Sequence, residues 1–417
     1  MHPVQAYFVS LGSLGDTLPF IIWGRALADR GHDVTLLVNG QYQPQVEAAG
    51  LKFAETLTSA EFLEFAEQQR TQSAAEAGRT MAQILVKQIP KVYEFLADRY
   101  VPGQTVVAAQ GYAFGARIAQ EVLGIPLATV HLQPLWLRST CDSPDFPDWC
   151  PRFVPRLVDR VADLVADGIL SPGTNKFRSQ FGLPPVKRLM KSWWNSPTRV
   201  LGLFPDWFAE PQPDWPAKVL LPGFVIEREQ PPLSGELAAF VDGGEPPLVF
   251  TQTAEKPEVR EFFKVSAEVA RRLGRRAVFV APNADLVPPG LPPEILVVRF
   301  APLAQLLPRA VLHVHHGGIG TIAYTLAAGI PQLTVAMVYD QPNNSQRLLR
   351  LGVSSNLKPR AYQPARVEAE LRRLLESREV ANQCSMYAER MRHEQGVARA
   401  CDALEELAVR AATPGSN

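Results

Sequence analysis

The chain has 417 residues, 46% of them hydrophobic and 20% charged. That is enough for two cored domains of about 150–250 residues each, and too apolar for disorder. Its 42 Lys and Arg balance its 42 Asp and Glu to a formal charge of zero, so no basic excess exists to hold a phosphate backbone and nucleic acid is not an expected partner.

No run of about 20 apolar residues marks a membrane-spanning helix. The N-terminus, Met1-His2-Pro3, lacks the basic region of a secretory signal. A cytoplasmic location is expected, with at most peripheral contact with the inner membrane. Cys141, Cys150, Cys384 and Cys401 form no CxxC or Cys/His cluster. No structural zinc is expected; Cys141 and Cys150 could pair in an oxidising compartment, and free thiols in the cytoplasm are the favoured reading.

Residues 4–11 (VQAYFVSL) are an apolar run ending at Gly12, the pattern of a buried strand. A tight loop over residues 12–16 follows, then a helix over 17–30 with Pro19 in its first turn and Gly31 beyond its end. Residues 33–38 read as the second strand and 105–109 as another. A helix over 115–123 turns at Gly124-Ile125-Pro126 into a strand over 127–131. This βαβ rhythm implies a parallel sheet with helices on both faces. Residues 209–235 are proline-rich and read as a linker. The alternation then restarts. Strands are expected at 247–251, 277–281, 296–300, 310–315 and 332–336, with a helix over 258–273 and charged helices from Pro364 onward. The fold class is therefore α/β, with two Rossmann-like halves in tandem.

His315-His316-Gly317-Gly318-Ile319-Gly320-Thr321 follows a strand and opens a helix. Glycines let a ligand approach the backbone, and the helix start offers free N–H groups and a positive dipole end, which suits a diphosphate. A dinucleotide oxidoreductase would need GxGxxG in its first βαβ unit and an acid closing the second strand. The first loop here is Gly12-Ser13-Leu14-Gly15-Asp16, and the second strand runs into Asn39-Gly40. Both argue against NAD.

At these residues the chain resembles the UDP-glycosyltransferase superfamily. The glycine-rich segment, together with residues 327–331 (AAGIP) and Asp340-Gln341, looks like its donor signature. Phe300-Ala301-Pro302 and the residues up to Leu307 look like its nucleotide-base loop. The first loop, with Pro19-Phe20, looks like the motif of its bacterial branch, which includes antibiotic glycosyltransferases. A narrower similarity joins residues 203–209 (LFPDWFA), Asp214-Trp215-Pro216, Gly223-Phe224 and Phe250-Thr251-Gln252 to the rhamnosyltransferase subgroup of rhamnolipid synthesis. Two features depart from the pattern. Thr253-Ala254 stand where the subgroup has Gly-Ser. Plant members pair a histidine base with an aspartate, whereas here Asp16 stands at the base position and no acid lies between Asp98 and Glu121 to pair with it.

The resemblance implies a GT-B fold, two Rossmann-like domains whose parallel sheets face a central cleft. It assigns an acceptor domain to residues 1–225, a nucleotide-sugar domain to 226–385, and helices over 386–417 that pack back on the first domain. It implies an inverting, metal-independent hexosyltransferase with no cofactor, whose donor is a dTDP- or UDP-sugar. The narrower similarity implies L-rhamnose moved from dTDP-L-rhamnose onto a hydroxyalkanoyl-hydroxyalkanoate lipid, with a partner enzyme supplying the acyl dimer. Another apolar aglycone (polyketide, flavonoid or sterol) is the alternative acceptor, and a nucleotide-sugar epimerase or a non-catalytic binding protein is the alternative class. Asp16 is the expected general base, although an aspartate there also suits helix capping. His315, Gly317, Gly318, Gly320, Thr321 and Thr253 are expected at the diphosphate. Phe300 and Ala301 are expected at the base, and Asp340 and Gln341 at the sugar. Trp136, Trp193, Trp194 and Phe204 are candidates for either an apolar acceptor wall or the core.

Overall fold

A computed structural model describes residues 2–72, 74–142, 144, 146, 149–252 and 257–412. The chain divides into two compact units, Met1–Val225 with Gln395–Asn417, and Ile226–Glu394. Among the described residues no helix is long and apolar enough to cross a membrane.

Among the described residues the first unit carries seven strands: β1 Gln5–Val9, β2 Asp33–Val38, β3 Lys52–Glu55, β4 Thr105–Gln110, β5 Leu127–His131, β6 Arg199–Gly202 and β7 Val219–Leu220. They form a parallel sheet in the order β3-β2-β1-β4-β5-β6-β7. Alternation along β1 sends Ala6 and Phe8 into one apolar layer with Phe20, Trp23 and Leu404. Tyr7 and Val9 enter the other, with Phe114 and Trp194. A strand buried on both faces reads as the continuous apolar run seen in the sequence. The helix Gly396–Ala412 belongs to this unit and packs on the helix Leu14–Asp29. Arg30 reaches Asp402 at 2.7 Å and Glu405 at 2.8 Å there.

The second unit carries β8 Leu248–Thr251, β9 Ala277–Val280, β10 Ile295–Val298, β11 Leu312–His315, β12 Gln332–Thr334 and β13 Ser354–Asn356. These run parallel in the order β10-β9-β8-β11-β12-β13. Phe250, Phe263 and Phe279 interlock beneath it at 5.2–5.3 Å between ring centroids. Two boundaries differ from expectation. A division at 385 would cut the helix Arg378–His393, which packs on the helix Ile319–Ala328 and stays with the second unit. The first helix begins at Leu14, three residues early, because Ser13 takes the N-cap position.

In each sheet the strand order reverses at one place, between β1 and β4 in the first unit and between β8 and β11 in the second. The loops leaving those strands diverge there, so a crevice opens at the carboxyl edge of the sheet, where open α/β sheets bind ligands.

Candidate functional site

At the crevice of the first unit, the loop after β1 carries Asp16. Its Oδ2 accepts hydrogen bonds from the Ser13 backbone N–H at 2.9 Å and from Ser13 Oγ at 2.8 Å. Capping is thus real, and it fixes the rotamer: the carboxylate folds back over the loop into the space that a side chain at Gly12 would fill. The loop after β4 supplies Tyr112, whose hydroxyl also donates to Asp16. Burial raises the Asp16 pKa above the ordinary carboxylate value, against the lowering effect of the hydrogen bonds from Ser13 and Tyr112. Raised basicity on a positioned oxygen is what a general base needs.

Beside it, Gln110 Oε1 holds the Leu11 N–H at 2.8 Å and ties the two diverging loops together. Trp136 meets Tyr112 edge-on at 6.5 Å and Trp194 at 6.0 Å. Of the four aromatic wall candidates, only Trp136 is half-exposed; Trp193, Trp194 and Phe204 are buried in the core. His131, at the end of β5, is neutral: burial lowers its pKa to about 4, and its Nε2 pairs with Asn195 Oδ1 at 2.8 Å.

At the crevice of the second unit, β11 runs into the glycine-rich loop. His315, expected at the diphosphate, is turned into the core of the unit. It is fully buried, its Nδ1 accepts the Gly317 N–H at 3.1 Å, and its Nε2 pairs with Gln332 Oε1 at 2.9 Å. Both ring nitrogens are consumed in holding the loop. The ring left over is His316, half-buried, with Nδ1 lacking a hydrogen-bond partner among the described residues. Burial lowers its pKa to about 4, which keeps the ring a neutral imidazole at neutral pH. A Cβ on Gly318 would lie 2.6 Å from His316 Nε2, so the glycine is what lets that ring fold against the helix start. Gly317 has φ +90°, a conformation that favours glycine.

The helix Ile319–Ala328 makes its first intrahelical bond from Ile322 N to the Gly318 carbonyl at 3.0 Å. The N–H groups of Ile319, Gly320 and Thr321 therefore precede any intrahelical partner. Around Gly320 a Cβ would meet nothing within 4 Å, so the helix start is open. Thr253, the remaining diphosphate candidate, lies with Ala254 outside the described residues.

After β12 the chain passes Tyr339, held at φ +58°, into the helix Gln341–Arg350. Gln341 Oε1 accepts from the Met337 and Val338 N–H groups at 2.9 and 3.2 Å, which fixes this loop and leaves the amide nitrogen to donate. Asn344, fully buried, donates to Asp340 Oδ2 at 2.6 Å and to the Gly317 carbonyl at 3.1 Å. One side chain thus ties the expected sugar-binding acid to the glycine-rich loop. Phe300, after β10, is 77% exposed, whereas Ala301 is buried. An aromatic ring left in solvent offers its face to a partner ring.

A profile described as erythromycin biosynthesis protein CIII-like, C-terminal domain, matches residues 279–407. Over 449 residues the chain is 31% identical to O-mycaminosyltylonolide 6-deoxyallosyltransferase of Streptomyces fradiae, covering 98% of this chain and 99% of that one. The chain is a GT-B glycosyltransferase. Its fold matches the crystal structure of the glycotransferase of kitacinnamycin with a TM-score of 0.77 at 20% identity, over 98% of this chain and 100% of the other. It also matches glycosyltransferase VinC in complex with dTDP, with a TM-score of 0.69 at 18% identity, over 98% and 100%.

In this glycosyltransferase two side chains that no sequence motif marks, Tyr112 and Asn344, bond to the expected site residues Asp16 and Asp340, and a third, His316, lies inside the glycine-rich motif but is not singled out by it. Strand periodicity held a signal for one of them. His313 and His315 are two apart and share a face of β11, and His313 is also buried with both ring nitrogens paired, to Thr251 and Thr325. His316 is the residue that breaks the alternation.

Proposed function

We propose that this glycosyltransferase moves a deoxyhexose from a dTDP-activated donor to the hydroxyl of an apolar acceptor in a single inverting displacement. The acceptor oxygen attacks the anomeric carbon as its proton passes to Asp16. The bond from that carbon to the diphosphate oxygen breaks, and dTDP leaves with the negative charge. The N–H groups of Ile319, Gly320 and Thr321 and the His316 ring stabilise that charge as it develops. Asp340 and Gln341 hold the sugar hydroxyls. The reading is carried by one observation: each unit places reactive groups at the switch point of its own sheet, a raised-pKa carboxylate on one and an open helix start on the other.

The relative named a 6-deoxyallosyltransferase and the neighbour crystallised with dTDP support a dTDP-deoxysugar donor. L-Rhamnose is our choice among such sugars, from the similarity of residues 203–224 to the rhamnolipid subgroup. That similarity favours a hydroxyalkanoyl-hydroxyalkanoate lipid acceptor, provided by an acyl-dimer-forming partner enzyme. The mycaminosyltylonolide relative favours a polyketide-type aglycone. Incubation with dTDP-L-rhamnose or UDP-glucose, and with each acceptor in turn, separates the two. Nucleoside diphosphate release that depends on one acceptor is the expected result. Conversion of the donor without any acceptor contradicts transfer and supports an epimerase.

Two further outcomes are expected. Phe300→Ala weakens donor binding by about 1–3 kcal/mol with little change in kcat, because the ring stacks on the base and touches no reacting atom; titration calorimetry with dTDP checks this. Activity persists in EDTA, because the helix start and His316 take the place of a divalent cation at the diphosphate; loss in EDTA with recovery on adding Mg²⁺ contradicts it.

A further inference from the structure

Among the described residues, the helix Phe153–Ser179 leaves one long face without a protein partner. Phe153, Leu157, Val161 and Leu164 follow one another at spacings of three and four, with Val165 beside them and Trp149 just before the helix, all exposed. Trp149 is 82% exposed, Leu164 68% and Phe153 67%. A stripe of this length exceeds the scattered apolar residues normal for a soluble surface.

The charges on this helix are sorted by side. Asp159 and Asp163 turn inward to Arg138, and Asp167 accepts the backbone N–H groups of Arg188 and Leu189. Arg152, Arg156 and Arg160 are exposed along the edge of the stripe. Among the described residues none of the three has an ion-pair partner. Their spacing of four repeats like charge along the helix, and two of them sit at its positive N-terminal end. Both arrangements are unfavourable in isolation. A negatively charged surface relieves both. A second copy of the same face would set arginines near arginines.

We propose that this face docks on an anionic phospholipid surface, with the helix lying in the interface plane, the apolar stripe entering the headgroup boundary and the arginines pairing with phosphates. The inference stands independently of the transfer reaction.

The test is flotation of the full chain with vesicles of phosphatidylglycerol and phosphatidylcholine, against vesicles of phosphatidylcholine alone, at low and high salt. The expected result is partition onto the anionic vesicles, weakened by salt. Arg152→Gln, Arg156→Gln and Arg160→Gln together should lower it on the order of a hundredfold, roughly a factor of five for each arginine. Leu157→Ser with Leu164→Ser should lower it at unchanged Tm, since both side chains are exposed. Equal partition of the parent and the triple arginine variant overturns the proposal. So does absence of binding to anionic vesicles, with or without a dimer in sedimentation that the leucine variant dissociates.

Discussion

Asp16→Asn should lower kcat by about 10²–10⁴-fold, the usual contribution of a positioned general base. Asparagine keeps an oxygen for the Ser13 N–H, so the start of the helix Leu14–Asp29 keeps its cap and the fold stands. Stability should not fall, and the sign follows from linkage. The folded-state pKa of Asp16 is raised by burial. Its contribution to stability is therefore full below the unfolded-state value and is lost as pH rises through the folded-state value. Wherever the carboxylate is ionised it costs stability, and Asn removes that cost. The expected variant is thus as stable as the parent, or more so, and nearly inactive: a reactive group held at the expense of the fold. The parent's kcat/KM should rise with pH across a limb lying above the ordinary carboxylate range. Thermal melts and a pH–rate profile of the two proteins check both halves.

His316→Ala should cost about 10²–10³-fold in kcat/KM for the donor, the loss typical of removing one hydrogen-bond donor to developing charge. Its melting temperature should stay close to the parent's, because the ring is half-buried and its Nδ1 pairs with nothing described. His315→Ala should behave in the opposite way. It leaves the Gly317 N–H and Gln332 Oε1 without partners and empties a fully buried site, so about 2–4 kcal/mol of stability should go. Donor binding by the fraction that stays folded should suffer less than in His316→Ala. Parallel melts and donor titrations of the two variants decide which histidine faces the diphosphate.

What the sequence made legible was local. Strands bounded by glycine, the loop before the helix Leu14–Asp29 and the glycine-rich turn after β11 announce themselves through nearest neighbours, and the two-sheet α/β architecture follows from them. What it hid was mostly non-local. Tyr112 meets Asp16 only because β4 lies beside β1, an adjacency that chain order does not state. Asn344 reaches Gly317 across 27 positions, with no motif to mark it. The helix Phe153–Ser179 is hidden for a different reason. Pro155, Gly168, Pro172 and Gly173 all read as breakers. Pro155 stands in the first turn, where proline is tolerated, and Gly173 is small because Val86 occupies the space of its missing Cβ.

The proposed division of labour between the two units also explains what the donor signature does not say. Asn344 ties Asp340 to the glycine-rich loop through the Gly317 carbonyl, and Ser345, next along the same helix, bonds the Gln341 carbonyl. The proposed acceptor side around Asp16 is framed by aromatic rings rather than by a polar code. Rings select area and shape, not particular hydroxyls, which suits the apolar acceptor proposed above.

The central claim is a single displacement in which Asp16 deprotonates the acceptor while the diphosphate leaves toward the helix start at Gly318–Thr321. The anomeric configuration of the purified product, read from the one-bond coupling of C1 to H1 and compared with that of the dTDP-sugar, tests it most directly. A product inverted at C1 is the predicted result. A product that retains the donor's configuration contradicts it, because retention requires two displacements or front-face attack and gives a base at Asp16 no place in the first step.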